Sequence, residues 1–148
     1  MSYFTLKYFD DLSPTELYDA LQLREAVFNL EQNCLYKDLD DKDRKCWHLF
    51  LYVENELAAY TRLVPPGISY DGYSSIGRVV SNPKFRKDGY GRKAMEASIK
   101  KTLELFPGLP VKIGAQAYLQ KFYESFGFVL TGEPYMEDGI PHIHMIRK

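Results

Sequence analysis

A basic, glycine-bearing loop between a strand-like and a helix-like segment constrains the fold of this chain more than any other feature. The apolar run from Ser75 to Ser81 stops at Asn82-Pro83, which is typical of a buried strand. The loop Arg86 to Gly91 follows, and a helical pattern continues from there to Pro107-Gly108. The next apolar run, Val111 to Ala115, predicts a strand parallel to the first, because a helical crossover joins the two.

The position of this loop predicts a phosphate-binding site. At the start of a helix, unpaired backbone N–H groups and the positive end of the helix dipole face outward. Glycine at positions 89 and 91 lets the backbone approach an anion closely, and Arg86, Lys87 and Arg92 add positive charge. A capped helix start with solvated basic side chains is the simpler interpretation of so short a motif taken alone.

The segment Gly89 to Ala94 also matches the dinucleotide-binding pattern G-x-G-x-x-A. In that fold the first glycine directly follows a strand, and an acidic residue about 20 positions later binds the ribose. Here Asn82 to Arg86 separate the strand from the loop, and Val111 to Ala115 ends without an acidic residue. No Gly-Lys-Ser or Gly-Lys-Thr occurs either, so the sequence argues against dinucleotide binding and against a nucleotide-hydrolysing P-loop.

The remaining segments predict an α/β (α+β) domain with a mainly antiparallel sheet. Tyr3 to Phe9 alternates as an edge strand would, and the capping box Ser13 to Glu16 begins a helix that reaches about Leu30. His48 to Val53 and Leu57 to Val64 predict a hairpin. Further predictions are a polar loop or broken helix at Glu31 to Asp43, a short helix from about Tyr118 to Phe126, and strands at Phe128 to Leu130 and His142 to Ile146.

Composition and charge argue against several classes of protein. A chain of 148 residues with 45% hydrophobic residues suits one domain, 1–148, with a single core. The net charge of −1 and the lack of a basic block argue against nucleic acid as a partner. No run approaches the roughly 20 apolar residues that cross a bilayer, so we expect a cytoplasmic protein without a membrane partner. Cys34 and Cys46 form no Cys-x-x-Cys pair and are expected to be free thiols.

In its motifs the chain resembles the GNAT family of N-acetyltransferases, and within it the ElaA-like subgroup. The family signature R/Q-x-x-G-x-G/A after a central strand is present as Arg86 to Gly91, and a later helix carries Phe122-Tyr123 and ends at Gly127-Phe128. Lys87-Asp88 departs from the family pattern, in which a glycine commonly follows the arginine, but only loop side chains differ. The ElaA-like segments span nearly the whole chain: Leu23 to Phe28, Glu31 to Cys34, Arg62 to Gly67, Ile76 to Val80, Ala115 to Ala117 and Glu137 to His142.

The resemblance implies a GNAT-type fold in which acetyl coenzyme A (acetyl-CoA) lies between splayed parallel strands, 75–81 and 111–115. Its pyrophosphate would bind the glycine-bearing loop, and its pantetheine amides would pair with the backbone of the first strand. A backbone N–H near Val80 would stabilise the oxyanion of the attacked thioester. The expected cofactor-binding residues are Val79, Val80, Ser81, Arg86, Lys87, Asp88, Gly89, Tyr90, Gly91, Arg92 and Gln116.

The resemblance also implies direct transfer of the acetyl group to a primary amine. Tyr123 matches the family position of the general acid that protonates the departing thiolate, although its spacing alone fits a core aromatic of a helix. An alkylamine with a pKa near 10.4 is mostly protonated at neutral pH, so a base must remove a proton. The candidate bases are Glu31, Glu137, His142 and His48, of which His142 is our first choice because imidazole needs little pKa tuning. Each carboxylate also fits a solvated or capping role.

The sequence does not specify the acceptor, which is either a small-molecule amine or a peptide amine. We expect it to contact Glu31, Tyr36, His48 and Arg78, although the polar segment that contains Glu31 and Tyr36 also fits a solvated loop. His142 and His144 share one face of a strand, but no ligand spacing accompanies them, and we predict no metal site. Exposed edge strands allow a homodimer. The alternative function is a non-catalytic CoA-binding sensor or interaction module.

Overall fold

Seven strands and three α-helices form the fold in a computed structural model that describes residues 1–148. In chain order they are β1 (Ser2–Tyr8), α1 (Pro14–Arg24), β2 (Trp47–Val53), β3 (Glu56–Val64), β4 (Ser75–Ser81), α2 (Tyr90–Leu105), β5 (Val111–Gln116), α3 (Gln120–Glu124), β6 (Val129–Glu137) and β7 (Ile140–Arg147). A π-helical turn, Glu25–Glu31, continues α1, and short 3-10 turns lie at Phe9–Asp11, Lys42–Lys45, Pro83–Asp88 and Ala117–Leu119. None of the helices has the length and apolar character needed to cross a bilayer.

The strands form two antiparallel sheets that separate between β4 and β5. One sheet has the order β1-β2-β3-β4 and the other the order β5-β7-β6. The two sheets are joined where Ser74 pairs in parallel with Val111 and the Lys112 N–H donates to the Ser74 carbonyl oxygen at 2.9 Å. This confirms the mainly antiparallel arrangement with a splayed central pair. The parallel pairing is limited to this one bridge, so β4 and β5 leave a cleft between them.

The end of α1 departs from the regular helix that the sequence predicts up to Leu30. The start is as expected: the Glu16 N–H donates to Ser13 Oγ at 3.0 Å, and the Ser13 N–H donates to Glu16 Oε1 at 2.9 Å. Beyond Arg24 the helix widens to π geometry, as in the bond from the Gln32 N–H to the Val27 carbonyl oxygen at 3.1 Å. Such turns are frequent at functional sites, and this one ends beside the cleft.

The two faces of β5 have different surroundings. Along β5, Val111, Ile113 and Ala115 are buried in a core formed with α2 and α3. Because side chains alternate along a strand, Gly114 and Gln116 face the opposite side. A second core packs α1 and the π turn against β2, β3 and β4.

The final hairpin is longer than the sequence predicts. The expected strands, Phe128 to Leu130 and His142 to Ile146, extend to Val129–Glu137 and Ile140–Arg147. A register shift between Thr131 and Tyr135 accommodates the glycine and proline of this stretch, and most of β6 is exposed. Its sequence therefore lacks the apolar alternation by which a strand is recognised.

Candidate active site

A cavity of about 410 Å³ occupies the cleft where β4 and β5 separate. These strands form its inner walls, the π turn and the following segment form one side, and the β6–β7 turn forms the other. Separate parts of the chain thus converge on one space. Eleven residues proposed from the sequence line it: Glu31, Tyr36, Arg78, Val79, Val80, Ser81, Arg86, Gln116, Tyr123, Glu137 and His142.

A β-bulge in β4 borders this cavity. The register between β3 and β4 shifts between Tyr60 and Arg62, where Arg78 and Val79 face a single residue of β3. Arg78 has φ = 49°, a left-handed conformation that is unfavourable for a residue with a Cβ atom. A bulge interrupts the ladder of hydrogen bonds, which makes backbone groups available to a ligand.

The predicted phosphate-binding loop consists of a 3-10 turn, Pro83–Asp88, followed by the first turn of α2. Gly89 joins the two parts with φ = 76°, a conformation that glycine adopts without strain. A Cβ atom added at Gly91 would lie 3.5 Å from Ser81 Cβ, so the first turn of α2 packs closely on the end of β4. The N–H groups at the start of α2 are therefore near the end of the cavity that Ser81 and Arg86 line.

Several other residues of this loop do not line the cavity. Lys87 and Asp88 lie in the 3-10 turn, and the ring of Tyr90 packs against the hydrophobic core. The Arg92 guanidinium lies 4.5 Å from the ring centroid of Phe126, at the end of α3. The charge of Arg92 is thus directed toward α3 and away from the predicted phosphate site.

Arg86 and Glu31 form a bidentate ion pair at the mouth of the cavity. Arg86 Nη1 donates to Glu31 Oε2 and Nη2 donates to Oε1, both at 2.6 Å. Nη2 also donates to the Ser81 carbonyl oxygen at 3.3 Å. The hydrogen bonds from Arg86 hold the pKa of Glu31 below its ordinary value. Glu31 is therefore engaged with a cation, which makes it a poor proton acceptor.

Tyr123 presents a buried phenol to the cavity. The residue is 5% exposed, and its ring packs edge-on against Phe122 and Phe128, with centroid distances of 5.1 and 6.1 Å. Burial raises its pKa well above that of an ordinary tyrosine. The phenol therefore stays protonated at neutral pH and can donate a hydrogen bond or a proton to a ligand.

His142 has a free ring nitrogen beside a carboxylate. Its Nδ1 lies 2.7 Å from the Ile140 carbonyl oxygen, which can only accept, so Nδ1 carries the hydrogen. In the neutral ring Nε2 then holds a lone pair, 3.5 Å from Glu137 Oε2. The pair can accept a proton from a ligand in the cavity.

His48, proposed above as an acceptor contact and as a base, lies outside the cavity. It is 1% exposed, with Nδ1 2.6 Å from Tyr60 Oη and Nε2 2.9 Å from the Asp43 carbonyl oxygen. Burial lowers its pKa, so the ring stays neutral at neutral pH. Both ring nitrogens have partners in the interior, so His48 is no longer a candidate for either role. The burial of His48 could not be predicted from the sequence, because β2 is covered on both faces and residues on either face are therefore buried.

An ion network fixes the polar segment between the π turn and β2 beside the cavity. Its members are Arg24, Arg62, Arg78, Asp38, Asp40 and Asp43. Asp43 Oδ1 accepts from Arg24 Nη1 and from Arg62 Nη1, both at 2.9 Å. Arg24 is 1% exposed and Arg62 is 4% exposed, so both depend on these carboxylates. The segment predicted as a solvated or pocket-bordering loop is thus held by ion pairs, and its residues Cys34 and Tyr36 line the cavity.

Gln32 is a cavity residue that the sequence did not single out. Its Oε1 accepts from Gln116 Nε2 at 3.1 Å, which joins the two sides of the cleft. The partners are 84 residues apart in the chain, so no local spacing could reveal the contact.

The two histidines that share a face of β7 are held by aromatic packing. His144 stacks on Tyr135 with centroids 4.5 Å apart, and His142 lies 5.7 Å from the same ring. The structure brings together no group of three or more His, Cys, Asp or Glu side chains that could hold a metal ion. Cys34 and Cys46 are free thiols.

Comparison with known proteins gives concordant results. A family model described as an acetyltransferase (GNAT) domain matches residues 10–148. A UPF0039 protein from Synechocystis sp. is 44% identical over 139 residues, which are 93% of this chain and 90% of that protein.

Two solved structures match along their whole length. The crystal structure of an acyl-CoA N-acyltransferase from Pseudomonas aeruginosa has a TM-score of 0.94 and 41% identity, with 100% of both chains covered. The crystal structure of Escherichia coli ElaA has a TM-score of 0.93 and 39% identity, also with 100% of both chains covered.

Proposed function

Since this chain belongs to the GNAT family of acetyltransferases, we propose that it moves the acetyl group of acetyl-CoA onto a primary amine. It is an acyltransferase of a family that uses acetyl-CoA or another acyl-CoA as cosubstrate. One observation carries the proposal: a single cavity brings the β4 bulge, the buried phenol of Tyr123 and the free nitrogen of His142 together, with Arg86 of the predicted phosphate-binding loop at its mouth.

The cofactor would bind along the cleft. Its pyrophosphate would lie on the N–H groups at the start of α2, with Arg86 adding charge. The pantetheine amides would pair with the backbone of β4 near Val79, Val80 and Ser81, as an added strand would. The thioester carbonyl would then reach the bulge, where a backbone N–H can stabilise its developing negative charge. The acceptor would enter between Tyr36 and His142, from the other side of the thioester.

The amine would need to lose one proton before attack and a second one after it. His142 Nε2 is the group that we assign as the base, with Glu137 stabilising the imidazolium. Tyr123 would donate to the departing sulfur. Because the pKa of this phenol is raised well above the value of about 8.5 typical of a thiol, its hydrogen bond to the thiolate would supply most of the stabilisation.

Release of free thiol from acetyl-CoA tests the proposal directly. Purified protein is assayed against simple alkylamines, diamines, amino sugars and peptides with a free N-terminus, with propionyl-CoA run in parallel. We expect thiol release that depends on the amine and an acetylated product of the expected mass. Tight binding of acetyl-CoA without thiol release from any amine would contradict the proposal and favour the non-catalytic CoA-binding module.

Replacement of Arg86 by Ala should weaken acetyl-CoA binding about tenfold, which corresponds to about 1.4 kcal/mol, because a charge-assisted contact with the pyrophosphate is lost. Isothermal titration with acetyl-CoA measures the effect. The difference from wild type should shrink at high salt, since the lost contact is between charges.

The Glu31→Gln variant is the matched control, because it removes the other half of the same ion pair. Glu31 competes with the pyrophosphate for Arg86 in the free protein, so this variant should bind acetyl-CoA more tightly than wild type at low salt. Equal weakening in both variants would mean that the pair matters only as an intact structural unit, and would remove Arg86 from the proposed phosphate site.

Replacement of His142 by Asn should lower kcat/KM for the amine about 100-fold at pH 7. Without a base the reaction relies on free amine, whose fraction rises about tenfold per pH unit below its pKa near 10.4. The deficit should therefore shrink as the pH is raised from about 7 to about 9. His144→Asn, on the same face of β7 but outside the cavity, should show no such pattern. A deficit that stays constant with pH would argue against His142 as the base.

A further inference from the structure

The bulge in β4 is held in an unfavourable backbone conformation that needs support from outside the strand. Arg78 adopts φ = 49° at the bulge, and its neighbours Gly77 and Val79 line the cavity with it. Non-glycine residues with positive φ persist only where surrounding contacts determine them. Such contacts must therefore act on Arg78.

Asp38 supplies the largest share of those contacts. Its Oδ1 lies 2.8 Å from Arg78 Nε, in an ion pair without hydrogen-bond alignment, and its backbone carbonyl oxygen accepts from Arg78 Nη2 at 3.0 Å. The phenol of Tyr36 also donates to Asp38 Oδ1 at 2.9 Å, and its ring centroid lies 5.6 Å from the Arg78 guanidinium carbon. Asp40 adds a longer contact, from Arg78 Nη2 to Oδ2 at 3.3 Å.

The carboxylate of Asp38 is itself fixed by the helix. Arg24 Nε donates to Asp38 Oδ2 at 2.9 Å, and Arg24 is also held by Asp43 in the interior. The Asp38 side chain is 11% exposed and that of Arg78 is 21% exposed, so water screens their attraction only in part. A rigid chain of contacts thus runs from α1 through Asp38 to the bulge.

We propose that Asp38 is a positioning residue for acyl transfer: through Arg78 it holds the β4 bulge in the conformation whose backbone N–H polarises the thioester carbonyl. The inference rests on the proposed function, since it needs an acyl-CoA in the cleft. In this proposal the contacts of the Arg78 guanidinium with Asp38 hold the backbone of Arg78 in place. The acceptor amine does not need to contact the guanidinium. This role differs from the acceptor contact that the sequence suggests for Arg78.

Two substitutions at Arg78 separate backbone support from side-chain chemistry. Arg78→Ala removes the guanidinium and leaves a Cβ atom at a positive φ, so the backbone of the bulge should move to a more favourable conformation. Arg78→Gly removes the same guanidinium but tolerates the positive φ without support. The glycine variant should therefore keep a working bulge where the alanine variant loses it. If the guanidinium instead bound the substrate, both variants would fail alike.

The infrared band of the thioester carbonyl in bound acetyl-CoA, labelled with carbon-13 at the carbonyl, gives a readout that needs no acceptor. A hydrogen bond from the bulge lowers the carbonyl stretching frequency relative to free acetyl-CoA. We expect this shift in wild type and in Arg78→Gly, and its loss in Arg78→Ala and in Asp38→Asn. On any amine that wild type acetylates, kcat of the glycine variant should exceed that of the alanine variant by about tenfold or more. The dissociation constant for acetyl-CoA should change little in all three.

Asp41→Asn is the matched control for Asp38→Asn. Asp41 lies on the same segment, but its side chain is 81% exposed and pairs with Arg44 on the surface at 3.1 Å. Its replacement should leave the carbonyl band and the rate unchanged. If Asp38→Asn does not fold, the comparison of alanine and glycine at position 78 still decides the question.

The outcomes separate the two proposals. Absence of acetyl-CoA binding to wild type would overturn the proposed function and the inference with it. Binding and turnover with an unshifted carbonyl band in wild type would overturn the inference alone. So would a full shift in Arg78→Ala, or equal loss of the shift in the alanine and glycine variants.

Discussion

Replacement of Tyr123 by Phe is expected to lower kcat about 100-fold or more while leaving the dissociation constant for acetyl-CoA nearly unchanged. The phenol oxygen would meet the sulfur only as the C–S bond breaks, so its loss raises the barrier and not the energy of the bound cofactor. Because Phe retains the ring that packs against Phe122 and Phe128, the fold should be preserved. Steady-state thiol release together with titration of acetyl-CoA measures both quantities.

Tyr18→Phe is a suitable control for this variant, since Tyr18 is 68% exposed on α1 and lies outside the cavity. Its activity should equal that of wild type. A Tyr123→Phe enzyme that keeps wild-type kcat would show that the thiolate leaves without help from this phenol. A large loss of acetyl-CoA affinity instead would assign Tyr123 to ground-state binding.

Replacement of Asp43 by Ala is expected to destabilise the protein by about 3–5 kcal/mol, because it leaves the interior charges of Arg24 and Arg62 without a shared partner. For a chain of this size that corresponds to a fall of roughly 10–15 °C in Tm. Thermal unfolding followed by circular dichroism measures it. Asp41→Asn, which neutralises an exposed carboxylate and tolerates the positive φ of 66° at this position, should shift Tm by less than about 2 °C. Equal stability of the two variants would contradict this account of the network.

The stability of the wild type should also depend on pH through Asp43. Burial alone would raise the pKa of this carboxyl, but hydrogen bonds and charge from Arg24 and Arg62 outweigh it and hold the pKa below its ordinary value. A lowered pKa in the folded state means that the stabilisation is fully present above the unfolded value of about 3.9. It is lost as the pH falls through the folded value. Asp43→Asn should lack this component of acid unfolding.

Features encoded within a short stretch of sequence could be predicted, and contacts between distant segments could not. The strand Ser75–Ser81 and the capping box at Ser13 depend on neighbouring residues, and the structure has both as expected. The cleft itself follows from the crossover that places β4 and β5 side by side. By contrast, the network of Asp38, Asp40 and Asp43 needs partners from β3 and β4, and charged residues on a polar segment fit a solvated loop equally well.

The case of His48 shows the same limit at the level of one residue. A histidine on a strand can face a pocket or the interior, and the choice depends on what covers each face of the sheet. Here Tyr60 and the Asp43 backbone occupy both ring nitrogens. His142 is the favoured base because imidazole needs little pKa tuning, which says nothing of its neighbours; its placement beside Glu137 comes from the turn between β6 and β7.

The π turn after α1 has the geometry of a helix that contains one residue more than its regular turns accommodate. Deletion of a single residue between Glu25 and Leu30 would restore the regular spiral and rotate everything beyond it by about 100° about the helix axis. Glu31 and Gln32 would then leave the cavity wall, although every side chain that forms the wall would still be encoded. The shape of the cleft thus depends on a count of residues as much as on their identity.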